Sequence, residues 1–225
     1  PLQAPEKYLK KYAHIEDESR RIFAAMVDCM DVEIGRVISA LESKGMRENS
    51  LIMFSSDNGG RIRFGARNGK FRGGKKELFE GGIRVPAIIR MPGKIREGSV
   101  CDQPCITFDF TKSLVALAGA KEDPEKPLEG INIIEHVSFQ PPDFLRTLYW
   151  RKQRGNQVWK AVREGNLKYV AENNDGEQND HLFDLVADVS EKHDLAETHT
   201  EDLQRLRNKY QAWETTVRKN RRGAP

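Results

Sequence analysis

Residues Leu51–Pro86 read LIMFSSDNGGRIRFGARNGKFRGGKKELFEGGIRVP, and this stretch decides the fold. It opens with four apolar residues that end at Phe54, a run that suits a buried strand and is too short for a helix. Asp57 and Asn58 follow where such a strand ends. Ligands of open α/β sheets bind beyond the carboxyl ends of the strands, and hard oxygen donors suit Ca²⁺ or Mg²⁺. The stretch therefore points to a cation site at a strand end.

A plain turn is the competing interpretation of the same residues. Asn58-Gly59 is a strong turn signal, because Asn and Gly are what turns select. The downstream pattern is G-G-K-x-x-x-x-E-G-G-x-R-x-P, which begins at Gly73 and contains Lys75 and Glu80. Glycines allow close approach of neighbouring backbones, so this pattern favours a built site over an isolated turn.

A second motif in the stretch is excluded. Residues 69–76, GKFRGGKK, nearly match the phosphate-binding pattern G-x-x-x-x-G-K-[ST]. The last position is Lys76, so the hydroxyl that would bind Mg²⁺ is absent, and no apolar strand precedes the motif. The stretch is not a P-loop.

The apolar strand, S-D-N-G and the G-G-K-x-x-x-x-E-G-G-x-R-x-P pattern together resemble the sulfatase family of the alkaline-phosphatase superfamily. The resemblance runs from Pro1 to about Val217. It implies an α/β fold: the C-terminal part of an alkaline-phosphatase-like sandwich domain, followed by a small antiparallel four-stranded sheet with a C-terminal helix. We predict the boundary between the two domains at residue 140, giving domains 1–140 and 141–225.

The resemblance also implies a chemistry. Sulfatases hydrolyse sulfate esters, aryl or carbohydrate, by attack of a formylglycine hydrate on sulfur beside a divalent cation, usually Ca²⁺ and alternatively Mg²⁺. By motif position Asp57 and Asn58 are metal ligands, and Lys75 is the catalytic residue that neutralises a sulfate oxygen. Lys76, one residue on, is expected to stay solvated. Glu80 and the glycines after it are expected to shape the loop.

The nucleophile that the family needs is missing from these residues. None of the three cysteines, Cys29, Cys101 and Cys105, opens a C/S-x-P/A-x-R motif, and no serine does. The family's aspartate pair and catalytic histidines are unmatched too. The resemblance therefore implies a C-terminal portion whose formylglycine, Cys- or Ser-derived, lies upstream. We predict that the isolated chain is inactive. The alternatives are a related phosphoester or phosphonate hydrolase, or a noncatalytic fragment or subunit that binds a partner or an anionic glycan.

Charge and composition limit the classes of partner that we expect for this chain. The chain has 37 basic and 34 acidic residues, so its charge of +3 gives no footprint for nucleic acid. No apolar run approaches the ~20 residues of a membrane span. Cys101 and Cys105 lack C-x-x-C spacing and a histidine near them in sequence, so metal binding is not expected there, and a local disulfide stays open. The family suggests a periplasmic, secreted or lysosomal location. The expected partner is the missing N-terminal part, or a second copy.

Periodicity predicts the remaining elements. Apolar residues at spacings of three and four predict a helix over Glu18–Lys44 that ends before Gly45. A second strand is expected over Val85–Arg90 and a helix over Thr107–Gly119. Beyond the charged linker 121–128, four short aromatic and β-branched runs predict a meander.

The chain is expected to close with a helix whose N-terminus carries a capping box, Thr198-x-x-Glu201. Its apolar stripe should cover one face of the meander. No histidine is expected to be catalytic, because the family's catalytic histidines precede this sequence. The five are His14, His136, His181, His193 and His199.

Overall fold

The computed structural model describes residues 2–174 and 176–222, which fall into two compact units. The first contains residues 1–33, 56–85 and 147–225, and the second contains residues 34–55 and 86–146. The predicted boundary at residue 140 stays a prediction. The helices are α1 Glu6–Lys11, α2 Glu18–Ser43, α3 Glu80–Ile83, α4 Thr107–Leu117, α5 Ile133–Phe139 and α6 Thr200–Arg222. The strands are β1 Ile52–Ser55, β2 Ala87–Arg90, β3 Thr147–Arg154, β4 Gln157–Glu164, β5 Leu167–Asn174 and β6 Glu177–Asp184.

The predicted four-stranded meander is confirmed. Strands β3 to β6 pair in sequence order, each antiparallel to the next. Gly155 and Gly165, in the first two hairpin turns, both have a φ of +57°, a conformation that glycine adopts without strain. These turns fix the register, so that alternate side chains of each strand point to the same face.

Both faces of this sheet are buried. One face packs on α6 through a cluster of six buried side chains: Val162, Tyr169, Ala171, Leu182, Leu206 and Tyr210. The opposite face packs on the E-L-F-E segment of the deciding stretch, through Leu78, Phe79, Ala161, Val170, Phe183 and Leu185. Burying a phenylalanine side chain fully contributes about 1.5–3 kcal/mol, so Phe79 alone is a substantial anchor. The sheet thereby holds the segment that carries the sequence motif.

Helix α6 confirms the predicted stripe and corrects the predicted cap. Leu206 and Tyr210 are buried against the sheet, and the Trp213 ring stacks on Tyr149 with centroids 4.9 Å apart. The helix begins at Thr200, one residue later than the capping box predicts. The reason is that the Thr198 hydroxyl donates to the Leu195 carbonyl at 3.3 Å, inside the preceding turn.

Helix α2 agrees with the predicted helix over Glu18–Lys44, and Gly45 follows it with a φ of +67°. Its apolar stripe is only partly covered by the described residues. Ala25 is fully buried, whereas Met30 is 48% exposed and Val37 is 63% exposed. None of the helices in the described ranges has the length and hydropathy that crossing a bilayer needs.

The second unit contains β1 and β2, which form an antiparallel pair with Ile52 opposite Arg90. It also contains α4 and α5, which pack on each other. The buried Asp109 carboxylate organises this unit, since it accepts the Ile106 and Ile131 amides at 2.7 and 2.9 Å. The Arg146 guanidinium donates to both of its oxygens, at 2.7 and 2.9 Å. Asp109 thus caps α4 by accepting the amide of Ile106, the residue before the helix.

Candidate functional site

The three predicted site residues lie on two segments that are joined by one backbone hydrogen bond. Asp57 and Asn58 follow β1 directly. The Lys75 amide donates to the Gly60 carbonyl at 3.1 Å, which attaches the lysine segment to the turn that carries Asp57 and Asn58. The structure therefore joins the backbones of two segments that are fifteen residues apart in sequence, both in the first unit.

The side chains of these three residues are available to a ligand. Asp57 and Lys75 are exposed, and Asn58 is half-buried. Within residues 2–174 and 176–222, none of the three side chains has a hydrogen bond or an ion pair. The turn itself is braced, since the Ser56 hydroxyl donates to the Asn58 backbone carbonyl at 2.8 Å. The site therefore offers a carboxylate, an amide oxygen and an ammonium on a fixed backbone.

Glycines fix that backbone by allowing direct contact between neighbouring chain segments. The Gly59 amide donates to the Gly82 carbonyl at 2.9 Å, and a Cβ added at Gly59 would lie 1.7 Å from the Gly81 carbonyl oxygen. A Cβ at Gly81 would lie 2.3 Å from the Gly73 carbonyl oxygen. Real Cβ atoms do not approach backbone so closely, so the paired glycines are a steric requirement. Their role in shaping the loop agrees with the sequence interpretation.

Asn68 is a structural residue of the site that sequence reasoning missed. Its side-chain oxygen accepts the Gly60 amide at 2.8 Å, and its side-chain nitrogen donates to the Gly60 and Gly73 carbonyls at 3.1 and 2.8 Å. Glu77 adds a second brace, because its carboxylate accepts the Gly74 amide at 2.7 Å. Composition alone predicts a mobile loop over residues 59–74, whereas these contacts fix it. The Asn68-Gly69 dipeptide, a turn signal inside a cationic loop, was the available clue.

A buried ion triad lies behind the motif. The Lys168 ammonium, 0% exposed, contacts the Glu80 carboxylate at 2.8 Å and the Glu191 carboxylate at 2.7 Å. Burial raises the pKa of Glu191, and the opposite charge of Lys168 only partly offsets that effect. Lys168 lies two residues before Val170 on an inward face of β5, where a lysine needs a buried partner. A lysine at an inward position of a predicted strand was therefore the signal for a buried ion pair, and the sequence analysis missed it.

Arg72 connects the motif to the same region. Its guanidinium lies 3.9 Å from the centre of the Phe79 ring and donates to the Glu191 backbone carbonyl at 3.0 Å. A guanidinium over an aromatic face is attractive by roughly 0.5–2 kcal/mol. Arg72 therefore links the glycine-rich loop to the Phe79 ring and, through the Glu191 carbonyl, to the loop after β6.

A group of cations surrounds Lys76. The pKa of Lys76 is held below its ordinary value chiefly by the charge of Arg154, then by Arg61, by partial desolvation, and by Arg63 and Lys152. Each of these four charges, and the desolvation, lowers the pKa of Lys76. The Lys152 ammonium also donates to the Lys76 backbone carbonyl. This surface therefore favours anions, and it adjoins the segment that bears Lys75.

Comparison with known proteins yields consistent matches. The family profile described as Sulfatase matches residues 1–120. Arylsulfatase J of Mus musculus is 38% identical over 138 residues, which is 61% of this chain and 23% of the relative. Steryl-sulfatase of Rattus norvegicus is 32% identical over 155 residues, covering 60% and 27%. The chain spans about a quarter of the length of these relatives.

A solved structure agrees with these sequence matches. The crystal structure of Ps i-CgsB in complex with k-i-k-neocarrahexaose superimposes with a TM-score of 0.86 at 29% sequence identity. The match covers 95% of this chain and 47% of that one. This chain therefore spans about half the length of that solved structure.

Proposed function

The chain belongs to the sulfatase family, and from that premise we propose that it supplies the strand-end loop, the lysine and the C-terminal sheet of an enzyme that hydrolyses sulfate esters. The nucleophile and the remaining metal ligands would come from sequence outside these 225 residues. The observation that carries the proposal is the hydrogen bond from the Lys75 amide to the Gly60 carbonyl, which joins the lysine to the Asp57-Asn58 turn. By itself the chain is expected to be inactive.

Within this proposal Lys75 contacts the sulfate. An ammonium is a compact point charge with three donors, which suits a tetrahedral oxyanion. The Lys75 side chain is exposed and has no partner among the described residues, so it is free to bind a ligand. Charge that develops on the sulfate oxygens during cleavage is stabilised most by a cation already held in place. The Gly60 contact fixes the backbone from which the Lys75 ammonium extends.

The donor chemistry of Asp57 and Asn58 fits a hard divalent cation. Both offer oxygen atoms, both lack protein partners among the described residues, and the turn that bears them is braced. They would hold Ca²⁺, or alternatively Mg²⁺, as part of a ligand set of about six to eight oxygens for Ca²⁺. A bound cation would act as a Lewis acid towards the sulfate oxygens. Asp57 and Asn58 would supply two of its ligands.

We further propose that the substrate is a carbohydrate sulfate with additional anionic groups. The support is the cation group of Lys76, Arg61, Arg63, Lys152 and Arg154 beside the lysine segment. An aryl or steryl monosulfate offers no second anion for these charges. Ps i-CgsB, whose crystal structure contains a neocarrahexaose, is a relative of matching fold and 29% identity.

The test uses the complete polypeptide that contains this sequence. Asp57→Ala should abolish metal-dependent release of sulfate from a sulfated oligosaccharide and from p-nitrophenyl sulfate. Asp123→Ala, which removes an exposed carboxylate from the second unit, should leave both rates unchanged. Faster hydrolysis of p-nitrophenyl phosphate or a phosphonate monoester than of any sulfate would favour the phosphoester alternative. Absence of all turnover in the complete polypeptide would favour a noncatalytic protein.

A further inference from the structure

We propose that Cys101, His136 and Asp143, in the second unit, form a Zn²⁺ site. One ligand atom from each residue lies within 4.8 Å of the other two. Sequence reasoning set metal binding aside for Cys101 because no histidine stands near it in sequence. The structure corrects that argument, since His136 comes from α5 and reaches the Cys101 loop through tertiary packing.

Gln103 brings two of the three ligands together. Its side chain is buried, at 4% exposure, and makes a reciprocal pair of hydrogen bonds with the backbone of Phe144. The Phe144 amide donates to Gln103 Oε1 at 2.8 Å, and Gln103 Nε2 donates to the Phe144 carbonyl at 3.3 Å. Cys101 lies two residues before Gln103 and Asp143 one residue before Phe144. The pair therefore fixes the cysteine loop beside the aspartate loop.

His136 is fixed by its own set of contacts. The first turn of α5 is anchored by the Ser113 hydroxyl, which accepts the Ile133 amide at 2.8 Å. The imidazole is buried, and its edge packs against the Phe144 ring with centroids 5.8 Å apart. His136 Nε2 lies 3.2 Å from Asp143 Oδ1. The imidazole nitrogen and the carboxylate therefore already face each other.

The three donors match Zn²⁺ better than a hard cation. A thiolate and an imidazole nitrogen are borderline-soft ligands, and zinc binds them together with a carboxylate in tetrahedral sites. Zinc–ligand bonds of about 2.0–2.3 Å place tetrahedral ligand atoms roughly 3.3–3.8 Å apart. Closing from separations of up to 4.8 Å needs movements of about 1 Å. Cys101 and Asp143 are exposed loop residues, so they can make that movement towards a fixed His136.

Three protein ligands leave the fourth zinc position open to water or to another ligand. A cavity of about 310 Å³ with a mixed polar and apolar lining lies beside the cluster, and Cys101 is part of its wall. Its wall also includes Val137, the residue after His136, together with Ile88 and Ile133 from the strand and the helix.

The test is a titration of the reduced, metal-free 225-residue chain with Co²⁺, followed by Zn²⁺. We expect one equivalent of Co²⁺ to give a thiolate-to-cobalt charge-transfer band and strong visible bands of tetrahedral cobalt, both removed by Zn²⁺. Cys101→Ser should abolish the charge-transfer band. Asp143→Asn, an exposed change that leaves the fold intact, should weaken binding severalfold or more. His136→Gln should do the same, with circular dichroism as the check on folding.

Cys105→Ser is the matched control, since it removes a second thiol of the same unit that lies outside the cluster. It should leave the spectrum and the stoichiometry unchanged. Absence of a charge-transfer band in the reduced chain would overturn the proposal. Loss of the band in Cys105→Ser, or full retention of binding in Asp143→Asn, would overturn this choice of ligands.

Discussion

The Glu80 backbone amide donates a 2.6 Å hydrogen bond to the Glu191 carboxylate, although 111 residues separate the two in sequence. The Lys168 ammonium lies between their side chains. Glu80 begins α3, and the two glycines after it contact the turn that carries Asp57 and Asn58. The sheet of β3 to β6 and the loop after β6 therefore support the backbone of the candidate site.

Removal of the central cation should destabilise the chain strongly. Lys168→Met leaves two carboxylates buried without their partner, and breaking a buried ion pair in this way costs about 3–5 kcal/mol. Lys160→Met is the control, because Lys160 is partly exposed and lies 3.7 Å from Glu214. Its loss should change stability by less than about 1 kcal/mol. Urea denaturation gives both free energies of unfolding, and equal losses would contradict a structural role for the triad.

The loop that bears Glu191 should be sensitive to acid. The pKa of Asp188 is lowered, first by the hydrogen bond from the His193 amide and also by that from Lys192, at 2.7 and 2.6 Å. A lowered pKa means that the unfolded chain binds the proton more readily. The stability that Asp188 contributes is therefore complete above its unfolded pKa, near 3.8, and is lost as the pH falls through its folded pKa.

Asp188→Asn should accordingly flatten the acid side of the stability–pH curve below about pH 4. Thermal melts of both proteins between neutral pH and about pH 3 measure this difference. Parallel curves for the two proteins over that range would show that Asp188 does not supply the acid sensitivity.

The glycine contacts predict opposite results for two equivalent substitutions. Gly59→Ala inserts a methyl group 1.7 Å from the Gly81 carbonyl oxygen, and such overpacking should destabilise the chain by about 1–3 kcal/mol. Gly35→Ala, on the exposed side of α2, meets no atom within 4 Å and should stabilise by about 0.5–1 kcal/mol. Denaturation midpoints decide the comparison. A neutral Gly59→Ala would mean that the two loops are not in contact.

Much of this architecture was readable from local patterns. Alternating apolar residues and turn glycines predicted the meander, and a 3.6-residue period predicted α2 and α6. The candidate site stays a prediction, and it was made because Asp57, Asn58 and Lys75 fall within one contiguous motif that resembles the sulfatase family. Each of these features depends on residues that are close in sequence, where spacing alone determines which face a side chain takes.

The remaining features depend on long-range pairing, which spacing does not encode. The partners of Lys168 are 88 and 23 residues away, and a lone lysine in a strand does not identify them. Cys101 and His136 meet only because Gln103 and Phe144 pair across 41 residues. The misplaced α6 cap is instead a local error, because the Thr198 hydroxyl contacts the Leu195 carbonyl at 3.3 Å and His199 Nδ1 at 2.9 Å.

The exposed apolar surface predicts association. Val37 and Ile88 are 63% and 62% exposed, and β1 and β2 form a sheet of only two strands in the described residues. Unpaired strand edges and exposed apolar side chains favour contact with another chain. We expect dimers or larger species in analytical ultracentrifugation, dissociated in part by Val37→Lys. A clean monomer with a two-state melt and no dye-accessible apolar surface would contradict this expectation.

The most direct test of the central claim compares Lys75→Ala with Lys76→Ala in the complete enzyme that contains this sequence. Of the two lysines, Lys75 donates its amide to the Gly60 carbonyl. Lys76 instead has a φ of +87°, and its carbonyl accepts from the Lys152 ammonium. Loss of a charge-assisted contact to the anion should lower kcat/KM about 10²–10³-fold for Lys75→Ala. Lys76→Ala removes no contact to the sulfate. It should change kcat/KM for a monosulfate by less than about threefold, much less than the loss expected for Lys75→Ala. Equal losses, or a larger loss at Lys76, would contradict the assignment of Lys75 to the sulfate.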